Sequence, residues 1–259
     1  MESVADHILL ILMVVALVAG FVDAIAGGGG LIAIPALLIA GLPPAATLGT
    51  GKLQALFGAG MAALTYGRAG HFQWRDVAWL SLSAFAGSIG GALLAKALPT
   101  DFLRIVMPVM LIAIAAYFAF KPNLDDVDRE RRVSAATFGL TAAPLIGFYD
   151  GVFGPGAGSF YMLAFVALAG QGVLRATAHT KLLNFASNVG GFAVFALAGV
   201  VQWRIGLAMG AMQILGAWLG SRMALRIGAR LIKPLLIVVC VALALRLLWQ
   251  ERAVLLSLI

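Results

Sequence analysis

Charged side chains are scarce in this chain: Asp, Glu, Lys and Arg make up 11% of its 259 residues, while 62% are hydrophobic. A soluble domain of this length carries about 25% charged residues, because its surface must be wetted however large its core. The deficit excludes an ordinary soluble globule and calls for an apolar solvent, the bilayer. Cysteine is almost missing too. Cys240 stands alone, which rules out an internal disulfide and a cysteine-cluster metal site. Only three histidines occur, His7, His71 and His179, in separate contexts and without a His-Glu metal motif or a nucleophile–base arrangement. The chain is read as a non-enzyme with no cofactor and no metal, and without a signature for direct ATP drive.

What is abundant is long uncharged sequence. Val77–Ala95 runs for 19 residues, Val133–Tyr149 for 17 and Ile105–Phe120 for 16 without a charge. At ~1.5 Å per helical residue the longest covers roughly 28 Å, close to the ~30 Å hydrocarbon thickness. The period-2 alternation with polar partners that a membrane barrel requires is absent, so the spans are helices. Each half of the chain reads as five apolar segments: 7–26, 30–41, 46–67, 77–96 and 103–120, then 133–153, 157–170, 174–200, 205–225 and 231–249. The second of each set is about a dozen residues, ~18 Å as a helix, and too short to span. A half-helix or the return arm of a re-entrant hairpin is expected there.

The formal charge of +7 does not point to nucleic acid, since the basic residues form no single patch or stripe. They fall at segment ends. Loops at 67–76, 121–132, 170–181 and 222–233 hold 12 of the 18 Lys and Arg; Lys52, Lys96, Arg104, Arg204, Arg246 and Arg252 make up the rest. The positive-inside rule puts the 121–132 linker in the cytoplasm and both termini outside. Ala24-Ile25-Ala26 looks like a signal cleavage site, but Glu2 and Asp6 are acidic where a leader needs Lys or Arg. Residues 7–26 are therefore read as the first membrane segment. Trp74, Trp79 and Trp203 lie beside loop charges as interfacial anchors do. Gly87, Gly90 and Gly91, like Gly216, Ala217 and Gly220, are spaced to let helix backbones approach closely in lipid.

One pattern is written twice. Gly20-Phe21-Val22-Asp23 followed by Gly27-Gly28-Gly29-Gly30 returns as Gly147-Phe148-Tyr149-Asp150 followed by Gly154-Pro155-Gly156-Ala157-Gly158. Lys52-Leu53 returns as Lys181-Leu182, and Gln73-Trp74-Arg75 as Gln202-Trp203-Arg204. Repeated hydrophobic halves with broken helices are a common transporter plan. With an odd number of segments, the second half enters the membrane from the opposite side. The fold class so read is an all-α polytopic membrane protein. It has two inverted-topology repeats of about five segments each (four long helices plus a short half-helix), with Gly-broken helices near the midplane. Residues 1–120 are the first transmembrane repeat, 121–132 a cytoplasmic linker, and 133–259 the second repeat.

Asp23 and Asp150 are the acids set well inside apolar sequence, where a carboxylate costs on the order of 2.5–3.5 kcal/mol by insertion scales. Either they have a task, such as titrating with a coupled proton, or they cap the next helix or pair with a base. The glycine runs admit a dinucleotide fingerprint, plain packing, or a helix break. The first lacks its βαβ unit. A break leaves N–H groups, those of Gly29 and Gly156 among them, facing a ligand at a helix N-terminus, which suits an anion. Lys52 has Thr50 and Gln54 beside it; Lys181, Asn184 and Asn188 share a helix face. Hydroxyl and amide donors beside lysine match an oxyanion shedding hydration, and snorkelling to headgroups is the alternative for the lysines. His179 is a proton relay or an ordinary hydrogen-bonding residue.

These residues (Gly-Phe-x-Asp with its glycine cluster at 20–30 and 147–158, Thr50-Gly51-Lys52, His179-Thr180-Lys181) make the chain similar to the TauE/SafE sulfite exporter family, the toluene sulfonate uptake permeases. The resemblance covers nearly the whole chain. It implies a bacterial inner-membrane carrier of a small sulfur-containing anion such as sulfite, sulfoacetate or another sulfonate. Lys52, Lys181, Thr50, Gln54, Asn184, Asn188, Gly29 and Gly156 would then bind substrate, with Asp23, Asp150 and His179 in coupling or structural roles. The halves differ, since Gln54 and Ala55 stand where Leu183 and Asn184 stand. Export is expected; a cation-coupled importer and a channel or scaffold subunit are the alternatives. The expected partners are a small anion and the lipid bilayer, with no nucleic acid. The oligomeric state is left open, a homo-oligomer included.

Overall fold

The computed structural model describes residues 5–99, 102–103 and 128–228. Apart from residue 103, the expected segments 103–120 and 231–249 lie outside the described residues, as does most of the 121–132 linker. Among the described residues the chain is helical throughout: α1 (Asp6–Ala26), α2 (Gly29–Ile39), α3 (Pro44–Arg68), α4 (Trp74–Ala97), α5 (Ala135–Leu140), α6 (Ala142–Val152), α7 (Ala157–Ala167), α8 (Val173–Leu197) and α9 (Trp203–Ile227). Local chemistry sets the ends. Pro44 opens α3 at the first helical position, where its missing N–H costs nothing. Asp76 in the first turn and Lys96 in the last turn of α4 each sit at the favourable end of the helix dipole.

Gly27 ends α1 in the left-handed region, φ 79°, and donates its N–H to the Asp23 carbonyl at 2.8 Å. Any side chain there is strained, and a Cβ would run into the backbone of Gly158. α2 and α7, which follow the two glycine runs, have 11 residues each, ~16 Å of helix and about half a bilayer. Among the described residues, the sequence segment that divides is 133–153, which is α5 and α6 with a break at Thr141, φ −123°, ψ −76°. Proline explains it: Pro144 has no N–H for the carbonyl of Leu140, and its ring crowds that carbonyl. The corresponding residue of α1 is Leu17, and α1 is continuous.

α1 packs along α9 and α4 along α6; α3 lies against α8 and α9, and α8 against α4. Glycine lets these backbones touch. A Cβ at Gly216 or Gly220 of α9 would strike the carbonyls of Leu17 or Phe21 on α1, and one at Gly87 or Gly91 of α4 would strike those of Pro144 or Phe148 on α6. The close approach gains dispersion contact where lipid supplies no hydrophobic drive.

Polarity is distributed inside out. Ile11, Val14 and Val18 of α1, Leu82 and Leu93 of α4, and Leu207 and Leu215 of α9 are exposed, while Thr47, Gln54, Ser88, Ser159, Asn188, Gln213 and the lysines 52 and 181 are buried. Water would penalise both halves of that arrangement, and lipid favours both. α1 and α4 are long and apolar enough to cross a membrane. α3 and α8, 25 residues each, owe their lower hydropathy to the polar side chains they carry inward. Trp74, Trp79 and Trp203 are about half exposed near helix starts, as interfacial rings are.

Candidate functional site

The buried charges meet crosswise. Lys52 of α3 makes a 2.5 Å ion pair with Asp150 of α6, with 4% and 2% of the two side chains exposed. Lys181 of α8, fully buried, reaches Asp23 of α1, bonding its main-chain carbonyl and, at 3.3 Å, Oδ2. Each lysine lies eight residues into its helix, roughly 12 Å from the end. Both ammonium groups finish on carboxylates inside the protein rather than at a headgroup. Neither pair leaves a bare buried charge, which would cost several kcal/mol.

The remaining carboxylate oxygens are also used. Asp23 Oδ1 accepts from the N–H of Gly29 at 3.1 Å, capping the start of α2. Asp150 Oδ2 accepts a short bond from the Ser187 hydroxyl, and Ser187 Oγ lies 3.1 Å from the Asn184 carbonyl as well. Ser88 of α4 donates to the Ser187 carbonyl at 2.6 Å, joining α4 to α8.

The two glycine runs lie side by side, Gly27 against Gly158 and Gly30 against Pro155, with Ser159 Oγ donating to the Ala26 carbonyl at 2.7 Å. Gly154, at φ 90°, covers the Lys52–Asp150 junction: a Cβ there would lie 3.2 Å from Nζ and 3.4 Å from Oδ1. Between these elements is a cavity of about 40 Å³. That is space for a few waters or one compact solute, far below the ~300–1,000 Å³ of drug-sized pockets. Its polar walls are Lys52, Gln54, Asp23, Asp150, Asn184 and Asn188; Ile34, Leu48, Ala55 and Phe153 supply apolar ones, and glycine backbone the rest.

Of the residues singled out in the sequence, the cavity thus gathers Lys52, Gln54, Asp23, Asp150, Asn184, Asn188 and Gly156. Four stand back from it. Lys181 is turned onto Asp23. Gly29 gives its N–H to that same carboxylate. Thr50 accepts from the N–H of Gln202 at 3.0 Å, tying α3 to the turn before α9. His179 Nδ1 is 2.6 Å from Gln171 Oε1, and its ring packs on Phe72 and Phe165. Gln213 is a residue the sequence reading passed over. It donates to Gln54 Oε1 at 2.5 Å from a slot left by Gly20 and Gly58. A lone amide in the apolar run of α9 was the available signal.

Fold and site together define a helical membrane protein with a small, partly open cavity that both halves of the chain line. The family model described as "Sulfite exporter TauE/SafE" matches residues 12–247. The chain is 58% identical over 248 residues to the "Probable membrane transporter protein ORF9" of Sinorhizobium sp, spanning 96% of this chain and 95% of that protein. It is 45% identical over 249 residues to the "Probable membrane transporter protein YfcA" of Escherichia coli strain K12, at 96% and 93% coverage. A "Probable membrane transporter protein" of Haemophilus influenzae is 45% identical over 236 residues, at 91% and 92% coverage. No solved structure matches. The chain belongs to the TauE/SafE sulfite exporter family and is a membrane transporter.

Proposed function

We propose that the protein is a secondary carrier of a small sulfur-containing anion (sulfite, sulfoacetate or another sulfonate) in the bacterial inner membrane, working in export. The observation that carries this reading is the cavity: one lysine, three side-chain amides and glycine backbone at the starts of α2 and α7 converge on a space the size of a compact solute. Amide and ammonium donors replace the hydration an oxyanion loses. Export suits the energetics, since each net negative charge leaving an inside-negative cell gains ~2.3 kcal/mol per 100 mV.

The carrier works by alternating access between two inverted repeats, 1–120 and 133–259. Support comes from crossed packing: the contact of Gly216 and Gly220 with Leu17 and Phe21 is matched, residue for residue, by that of Gly87 and Gly91 with Pro144 and Phe148. Each half also lends a lysine to the other half's aspartate. Orientation follows from loop charge. With Lys181 and Lys52 recognised as interior, eleven loop Lys and Arg stand against five. The 121–132 linker is then cytoplasmic and both termini are outside.

Counterflow in proteoliposomes with sulfite, sulfoacetate, methanesulfonate and unrelated carboxylates tests this. Saturable exchange of the sulfur anions, lost in Lys52→Gln, is the expected result. Exchange of carboxylates alone, or non-saturable flux, refutes it. The paired Asp150 favours a second reading, a proton-coupled importer, separated from the first by imposing voltage and pH gradients independently.

A further inference from the structure

As it stands the binding cation is already occupied. Lys52 Nζ is held at 2.5 Å by Asp150, and both side chains face the cavity. Resting on the anion-carrier reading above, we propose that Asp150 is a tethered counter-anion for Lys52. An incoming anion takes its place on the ammonium, and the displaced carboxylate takes up one proton, so that each anion bound carries one proton with it.

Among the described residues, Lys52, on α3, is the cation paired with Asp150. Across the cavity Lys181 is committed to Asp23, itself a carboxylate. The phenols of Tyr149 and Tyr161, within electrostatic reach, are tied to the carbonyls of Pro155 and Ala143. α4 contributes Ser88, an uncharged hydroxyl that donates to the Ser187 carbonyl. Once Lys52 turns to substrate, Asp150 retains the single hydrogen bond from Ser187 in a space that is 2% exposed. A carboxylate left so carries the cost of an unpaired buried charge, which a bound proton removes.

The new O–H also has somewhere to go. Ser187 Oγ lies within bonding distance of both Asp150 Oδ2 and the Asn184 carbonyl. When Asp150 is ionised, the serine hydrogen points at the carboxylate. When Asp150 is protonated, its own hydrogen is donated to Oγ and the serine hydrogen turns to Asn184. The proton comes from hydronium in the water on the open side, which is left as neutral water.

Charge per cycle follows. A monoanionic sulfonate with its proton moves electroneutrally, whereas a dianion still carries one net negative charge and remains driven outward by voltage. Lys181 takes no part in this exchange, because it lies outside the cavity lining.

Methanesulfonate is the probe, since a strong-acid anion does not itself titrate near neutral pH. Purified full-length protein in weakly buffered detergent with a pH dye should take up one proton per methanesulfonate bound. Its affinity should fall about tenfold per pH unit wherever one proton is taken up per anion bound. Asp150→Asn should bind more tightly, without proton uptake and without pH dependence. Wild-type binding with no proton uptake and flat affinity overturns this inference alone, as does undiminished proton uptake by Asp150→Asn. The wild-type measurement decides even when the variant fails to fold. Failure of wild type to bind methanesulfonate, sulfite or sulfoacetate at any pH overturns the anion-carrier reading itself.

Discussion

Removing the ammonium from Lys52 while keeping its stem isolates the value of the crossed ion pair. Lys52→Met preserves most of the apolar contact beside Gly191, where the lysine Cδ and Cε would lie 3.2–3.3 Å from an added Cβ. It leaves Asp150 with the Ser187 bond alone. Breaking one partner of a buried pair costs about 3–5 kcal/mol, mostly because the other charge stays buried and unpaired. The double variant Lys52→Met/Asp150→Asn removes that penalty. Asn has the shape of Asp and still accepts from Ser187, so the residual loss is about one hydrogen bond, ~1 kcal/mol. The double variant should therefore be roughly 2–4 kcal/mol more stable than the single one. Reversible unfolding of detergent-solubilised protein, followed by tryptophan fluorescence, measures the cycle. If the double variant is as damaged as Lys52→Met, or the single one is as stable as wild type, the argument that the pair neutralises a dry carboxylate is wrong.

Gly91→Ala and Gly220→Ala should each lower stability by about 1–3 kcal/mol through overpacking, because each new Cβ meets a carbonyl of the facing helix, Phe148 or Phe21. Similar losses at both sites, read in the same unfolding assay, are the expected result. Thr50→Val should cost about 1–3 kcal/mol by orphaning the Gln202 N–H, with the substrate affinity of the surviving folded protein unchanged in a binding titration. His179→Gln should retain anion counterflow while losing stability through its ring contacts with Phe72 and Phe165; abolished flux in well-folded protein would revive a relay role.

Much of the fold was legible in the sequence because a bilayer demands little beyond length and hydropathy. The apolar segments became α1, α3, α4, α8 and α9, and the short α2 and α7 follow the glycine runs as read. The divided segment at Thr141 was legible in principle too, since Pro144 denies Leu140 its helical partner. Residue types at the site were equally visible: an acid, a lysine or an asparagine inside apolar sequence stands out. Gln213 escaped because a neutral amide in a glycine-rich helix is a weaker signal than a charge.

The sequence by itself determined a helical membrane chain with two acids set inside its apolar spans, where charge must find an internal partner, and left its two lysines either lining a site or snorkelling to the headgroups. Only the tertiary structure decided which acid meets which base. Lys52 crosses to Asp150 and Lys181 to Asp23, over 98 and 158 residues of chain. Sequence spacing cannot carry that information, because helix faces more than a few turns apart are related only through packing. The same packing brought the two glycine runs together. It turned Lys52 toward the cavity and Lys181 away from it, an asymmetry that the duplicated motifs conceal.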